Sequence, residues 1–205
     1  MTDHLPLKTL ERLLLYQHLL QRQARMGRHA VYSHELAAWV NGTPAQIRRD
    51  LMYLGAKGNS ARGYDLPELL RQLDHLVEGP GRQQMVLVGV GNIGRALLSH
   101  FSTKDSSFDI VAAFDTDPSV VHRVICGVHC YPMSEFEERV FPHPVRVGVI
   151  CTPEEHAQGV ADQMVRLGIR GILNFATVAL RLPEHVTVED MPISLLLKKL
   201  TILSQ

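Results

Sequence analysis

Residues 84–98, Gln-Met-Val-Leu-Val-Gly-Val-Gly-Asn-Ile-Gly-Arg-Ala-Leu-Leu, constrain this chain more than any other stretch. An apolar run too short for a helix ends in three glycines spaced GxGxxG, and a helical pattern follows at once. That is the strand, turn and helix a dinucleotide fingerprint requires. Gly89 permits the tight turn, Gly91 lets a pyrophosphate approach bare backbone, and Gly94 lets helix and strand pack closely. The helix N-terminus then offers unpaired N–H groups to the phosphates. Gly89, Val90, Gly91, Asn92, Ile93 and Gly94 are therefore the candidate cofactor segment. A second strand, Asp109 to Phe114, delivers Asp115 about twenty residues past the last glycine, where an acid meets the adenosine ribose hydroxyls. The expected ligand is NAD(H) rather than its 2′-phosphorylated form. Thr152, just after a buried strand at Val145 to Cys151, completes the cofactor set, while Asp117-Pro118 reads as a turn and helix start.

The fingerprint occupies the second half of the chain, and the first half has a different design. From Leu7 to about Met26 the apolar residues Leu10, Leu13, Leu14, Leu20 and Ala24 recur at helical spacing, with Gly27 as the stop. Ser33 is placed as the cap of a short helix carrying Leu36, Ala37 and Val40. Asn41-Gly42 makes a turn, and Thr43-Pro44 reads as an N-cap with proline at the first helical position. Two short helices across a tight turn form a helix-turn-helix. In the second, Ile47, Leu51 and Leu54 face inward and Gln46, Arg49 and Tyr53 face outward with Arg48 beside them.

Gly55 to Tyr64, with Lys57 and Arg62, then reads as a glycine-punctuated basic hairpin, a wing able to reach a phosphate backbone or minor groove. Formal charge over all 205 residues is zero, so a basic footprint has to be local, and here cations from Arg22 to Arg62 outnumber Glu35 and Asp50. The candidate DNA-binding residues are Gln46, Arg48, Arg49, Tyr53, Lys57 and Arg62. The alternative is a solvated basic face on a helical dimerisation domain.

Leu66 to about Val77 is a further helix, and Glu78-Gly79-Pro80-Gly81 is the clearest linker. Past Asp115 come a short helix at Pro118 to Arg123, a strand at Val124 to Tyr131, and a capping box at Ser134 to Glu137 opening another helix. Helix Glu154 to Leu167 and strands Gly171 to Phe175 and Val186 to Glu189 follow, an alternation that means a mostly parallel sheet. Residues 191–205 close the chain as a helix apolar on more than one face, read as docking on another subunit. The expected fold is therefore α/β: an N-terminal winged helix-turn-helix domain (1–78), a Rossmann doubly wound mostly parallel sheet (79–190) and a C-terminal dimerisation helix (191–205).

Neither a signal pattern nor an apolar run of membrane-spanning length is present, which points to the cytoplasm. Cys126, Cys130 and Cys151 form no even disulfide framework and match no strong zinc spacing; Cys126 and Cys130 are expected to share one face of their strand as structural thiols. An oxidoreductase would need a substrate pocket and an acid or base beside the nicotinamide. His100, His143, His156 and His185 are the candidates, each expected at a helix end or loop and read as a solvated histidine rather than a base. No catalytic residue and no metal ligand is assigned. A chain that spends its other domain on a basic helix-turn-helix is read as sensing the dinucleotide, which needs only differential affinity for two states.

The sequence also resembles the redox-sensing transcriptional repressors called Rex. The resemblance runs over nearly the whole chain, through Ser33 to Ala37, Ala45 to Gly55, Gly63-Tyr64, Gly89 to Gly94, Phe114 to Pro118, Gly168 to Ala176 and Pro183-Glu184. It implies a homodimer with a winged-helix domain, an NAD(H)-binding Rossmann domain and a C-terminal helix swapped onto the partner subunit, releasing operator DNA when NADH replaces NAD⁺. It places Arg48 and Arg49 on the recognition helix, Lys57 and Arg62 in the wing, and Gly89, Gly91, Gly94 and Asp115 at the dinucleotide. Where the family's wing carries a basic residue and then glycine, this chain has Ser60 and Ala61. Where family members place an arginine in the first helix, a tyrosine after the fingerprint helix and an Asp-Phe pair opening the swapped helix, it has His18, His100, Pro192 and Ile193. Proline offers no ion pair, and isoleucine does not stack on a nicotinamide ring as phenylalanine does. The alternatives are a Rex-like protein with an altered or lost NADH response, or a small NAD-dependent oxidoreductase.

Overall fold

A computed structural model describes residues 5–77, 83–102 and 107–204, and the chain divides into two compact units, Met1–Pro80 and Gly81–Gln205. The expected linker at Glu78 to Gly81 lies outside the described residues. Among those described, no helix is long and apolar enough to cross a membrane.

The first unit is built from α1 (Leu7–Arg25), β1 (Ala30–Val31), α2 (Ser33–Trp39), α3 (Pro44–Met52), β2 (Tyr64–Asp65) and α4 (Leu66–Val77). Its core gathers Leu13, Tyr16 and Leu20 of α1 with Leu36, Ile47, Leu51, Leu69 and Leu73; of the apolar stripe read along α1, Leu13, Leu20 and Ala24 join it, whereas Leu14 is 39% exposed and Tyr16 takes part instead. Between α2 and α3 the chain turns at Asn41, whose φ is 51°, and the Thr43 hydroxyl caps α3 by accepting from Gln46 N at 3.2 Å. Ser33 is not the cap of α2: it is the first helical residue, and the Glu35 carboxylate accepts the Tyr32 N–H at 2.9 Å instead. Strands β1 and β2 pair antiparallel, Ala30 opposite Asp65, and they frame the wing.

The second unit holds a seven-stranded sheet made of β3 (Gln83–Val88), β4 (Phe108–Asp115), β5 (Val124–Ile125), β6 (Val128–Pro132), β7 (Val147–Ile150), β8 (Gly171–Asn174) and β9 (Thr187–Asp190). Their order is β5-β6-β4-β3-β7-β8-β9, parallel throughout except for β5 on the edge. Helices α5 (Asn92–Phe101), α6 (Phe136–Val140) and α7 (Glu154–Arg166) make the crossovers. Alternation along β3 feeds both faces: Val86 and Val88 join one apolar cluster with Phe114 and Ala161, Met85 and Leu87 the other with Leu98 and Val149.

Three expectations fail here for local reasons. Val124 to Tyr131 is a hairpin rather than one strand, because Cys126 (φ 51°) and Gly127 (φ 84°) form a two-residue turn with positive φ at both positions. Cys126 is therefore exposed at the tip and Cys130 buried; they share no face. Pro118 to Arg123 is a single turn, in which the N–H groups of Val120 and Val121 both reach Asp117 O and the chain leaves through His122 at φ 63°. Ser134 caps nothing: Met133–Glu135 is a 3-10 turn, α6 begins at Phe136, and Glu135 pairs with Arg139 at 2.8 Å.

The chain ends in α8 (Ile193–Leu203), which has no buried residue; Leu197, Leu200 and Ile202 are 59%, 61% and 70% exposed. Its starting point is fixed by Asn174, whose side chain is fully buried at the end of β8. Asn174 Nδ2 donates to Asp190 Oδ1 at 2.7 Å and to Val178 O at 2.9 Å, and its main-chain oxygen accepts Met191 N at 2.7 Å.

Candidate functional site

A cleft of about 670 Å³ opens at the carboxyl ends of β3, β4 and β7. The chain leaves β3 toward β4 on one side and returns to β7 on the other, so this is the topological switch point where open α/β sheets bind ligands. Gly89, Val90, Gly91, Asn92, Asp115 and Thr152 line the cleft. Ile93 and Gly94 do not: Ile93 is 40% exposed, and Gly94 is buried under the turn.

The three fingerprint glycines have three different surroundings. Gly89 has φ +98°, and a Cβ there would stand 2.5 Å from the Cys151 carbonyl oxygen. At Gly94 a Cβ would run into the Gly89 carbonyl oxygen, so β3 and α5 could not approach as they do. Among the described residues Gly91 has nothing within 4 Å of where its Cβ would be, and its backbone is extended (φ −73°, ψ −160°) at the N-cap of α5. No described neighbour therefore requires glycine at that position; open space beside bare backbone is what a pyrophosphate uses.

Asp115 is held rigidly at the tip of β4. Its Oδ2 accepts Val90 N at 2.6 Å, and its Oδ1 accepts Thr116 N at 2.6 Å and Asp117 N at 2.9 Å. The carboxylate thus ties the glycine turn to the next strand while keeping acceptor capacity for ribose hydroxyls, and its charge disfavours a 2′-phosphate. Thr152 lines the same cleft, and its Oγ1 is buried with no hydrogen-bond partner among the described residues. These features fit a dinucleotide.

Further residues line the cleft that no sequence motif marks. Arg95 lines it with Nε donating to Val90 O at 3.0 Å, and Val120, Met133, Val160 and His156 supply an apolar side with one imidazole. Arg95 follows Asn92 by three positions on α5, a spacing that could have flagged it. Asp117, read as a turn former, also lines the cleft; the Ser119 N–H and hydroxyl hold its carboxyl below the usual range. Cys151 lines it too, but burial pushes its thiol up to about 12, so it stays protonated at neutral pH and offers no reactive thiolate. Among the described residues no cluster of three or more His, Cys, Asp or Glu could hold a metal ion.

In the first unit, α3 presents an uneven set of readers. Arg49 is exposed and makes no hydrogen bond or ion pair with another described residue, and Tyr53 is 53% exposed. Arg48 is exposed but its Nη1 donates to Ser33 Oγ at 3.1 Å, across to α2. Gln46 is half-buried, with Nε2 donating to Asp50 Oδ1 at 2.8 Å. Lys57 and Arg62 are exposed on the wing, whose tip is closed by paired bonds between Asn59 and Gly63 (2.8 and 2.7 Å). Asn59 Oδ1 accepts the N–H groups of Ala61 and Arg62, and Tyr32 OH donates to Ala61 O at 2.9 Å. Ser60 and Ala61 thus occupy a short, well-bonded turn.

Behind α3 lies a buried polar network that the pattern of apolar residues does not announce. Asp50 is fully buried, accepting from Arg12 Nε and Nη2 at 2.7 Å each and from Tyr16 OH at 2.8 Å, besides Gln46. Burial alone would raise its pKa, but the bonds from Arg12, Tyr16 and Gln46 outweigh it and hold the carboxyl below the usual range. The same charge raises the pKa of the Arg12 guanidinium. The network clamps α3 to α1.

Residues 4–51 match a family described as putative DNA-binding protein N-terminus, and residues 82–178 match one described as CoA binding domain. A redox-sensing transcriptional repressor Rex from Desulforamulus reducens is 36% identical, covering 96% of this chain and 94% of the relative. Rex from Pelotomaculum thermopropionicum is 37% identical, covering 96% and 92%. Among solved structures, the Rex-family repressor RSP with NAD⁺ and operator DNA superposes with TM-score 0.87 at 27% identity, over 96% of this chain and 91% of that one. RSP with NADH does so with TM-score 0.84 at 26% identity, over 97% and 93%.

Proposed function

This chain belongs to the Rex family of redox-sensing transcriptional repressors, and from that premise we propose that it binds operator DNA as a homodimer and releases it when NADH replaces NAD⁺. The observation that carries the ligand half is the switch-point cleft, where open backbone at Gly91 and the fixed Asp115 carboxylate converge beside Thr152. There Gly91 and the first turn of α5 would hold the pyrophosphate, Asp115 the adenosine ribose, and the apolar side at Val120, Met133 and Val160 the adenine. The nicotinamide carries the redox state, and the protein need supply no acid or base. We read the chain as a sensor rather than an enzyme, acting in the cytoplasm where operator DNA lies.

We assign residues 1–78 to DNA binding, 79–190 to the dinucleotide and 191–205 to the dimer. Support for the last comes from α8, whose exposed leucines are a surface that a monomer would leave in water. A partner subunit covering them supplies the burial that the helix lacks. Two copies of α3 would then read an inverted repeat in successive major grooves.

The experiment is a titration of NADH and NAD⁺ into the protein on its selected duplex, with the mass of the free protein measured by sedimentation. Dissociation by NADH but not NAD⁺, from a dimeric protein, is the expected result. A second reading is favoured by Pro192 and Ile193 at the head of α8: NAD(H) binds but the response is altered. Tight NADH binding without dissociation would establish that reading, and turnover of NADH with simple carbonyl compounds would favour an oxidoreductase over both.

For the DNA half, Arg49→Ala is expected to cost about 1–3 kcal/mol of operator affinity and to relax base preference at one position. Lys57→Ala should weaken specific and random duplexes alike and lower the salt slope by about one unit. Equal losses of Arg49→Ala on both kinds of duplex would show that Arg49 touches only phosphate.

A further inference from the structure

The outward face of α3 carries one residue that neither charge nor core packing accounts for. Met52 ends the helix and is 74% exposed, more than the neighbouring Tyr53 at 53%. It lies off the inward stripe of Ile47 and Leu51, both fully buried, and with Arg49 and Tyr53 it lines a shallow hollow. The polar side chains expected to share this face are partly committed elsewhere, Gln46 to Asp50 and Arg48 to Ser33. What the helix offers freely is therefore a cation, a phenol and a thioether side by side.

A bare apolar side chain gains nothing against phosphate or sugar oxygens. In the major groove the base edges present one apolar group, the C5-methyl of thymine. Met52 follows Arg49 by three residues, about 4.5 Å along the helix axis, close to the roughly 3.4 Å step between stacked base pairs. Its unbranched, polarisable side chain adapts readily to such a surface.

We propose that Met52 reads sequence by packing on a thymine methyl, one base pair from the contact made by Arg49. This rests on the reading that α3 enters a major groove, and it adds a specificity determinant to it.

The test begins by selecting the preferred duplex from a random library with the full-length protein. Each thymine of the half-site is then replaced symmetrically by deoxyuridine, which removes only the methyl group, and binding of wild type, Met52→Ala and Met52→Leu is compared. Wild type should lose roughly fourfold per half-site at one thymine, the effect of withdrawing one buried methyl. Met52→Ala should be indifferent to that replacement, and Met52→Leu should keep the sensitivity. Wild type insensitive at every thymine, or Met52→Ala as sensitive as wild type, overturns the proposal while leaving sequence-specific binding intact. Failure to select any preferred sequence overturns both the proposal and the reading beneath it, so the two failures are told apart.

Discussion

Asp50→Ala is expected to melt the N-terminal unit while the protein still binds NADH. The substitution strips three donors on α1 (Arg12 Nε and Nη2 and Tyr16 OH) and one on α3 (Gln46 Nε2) of their common acceptor and leaves Arg12, only a third exposed at its side chain, without its counter-ion. The buried Tyr16 hydroxyl, left without its acceptor, costs about 1–3 kcal/mol, and the partly solvated Arg12 guanidinium adds less than a fully buried charge would. A unit of this size commands only about 5–15 kcal/mol in all. Thermal unfolding of the full chain by circular dichroism should show the loss of helix signal at lower temperature, while NADH titration reports an intact cleft. Operator binding should vanish with the clamp between α1 and α3.

Acid should have the same effect in milder form. Asp50 has a folded pKa below its ordinary 3.8, so the carboxylate stabilises the fold fully above the unfolded pKa. That contribution is lost as pH falls through the folded pKa, below 3.8. The wild type should therefore lose N-terminal stability more steeply than Asp50→Ala in that window. Equal acid sensitivity of the two proteins, or an unchanged melting profile for the variant at neutral pH, would show that the network does not hold the unit together.

Which features the sequence revealed depended on the range over which each is determined. The glycine turn, the distal Asp115 and the alternation of strands are local requirements, and the Rossmann order and the cleft followed from them. Asp50 required a long-range view. It falls three residues after Ile47, on the buried stripe, and a carboxylate at such a position demands partners; Arg12 and Tyr16, one turn apart on α1, were the pair to look for. The bond from Gln46 to Asp50 was illegible for the same reason, since an outward helical position says nothing of a neighbouring acid that holds its amide. The hairpin at Cys126-Gly127 was hidden because a cysteine at positive φ has no propensity cue, leaving Gly127 as the lone signal. Met52 carries no charge, so it adds nothing to the basic footprint that marks a nucleic-acid face in a sequence.

Gly91→Ala is expected to separate ligand binding from folding. Its backbone angles suit any L-residue, and the added methyl meets no atom of the described residues within 4 Å, so stability should change by no more than about 0.5 kcal/mol. The methyl would nevertheless project at the helix N-cap beside the cleft, between a pyrophosphate and the N–H groups meant to hold it. NAD⁺ and NADH affinity should fall together by about 100-fold, or about 2.7 kcal/mol. Gly94→Ala makes the opposite case, since its methyl meets the Gly89 carbonyl oxygen, which is backbone and can give way only by moving β3 from α5. Overpacking of that kind costs about 1–3 kcal/mol, so this variant should lose stability and binding at once. Calorimetric titration and thermal unfolding of both proteins check the pair. If Gly91→Ala binds NADH as tightly as wild type, the phosphates do not lie on this backbone; if it binds neither cofactor yet holds its operator at every NADH concentration, the glycine turn is the input of the redox response.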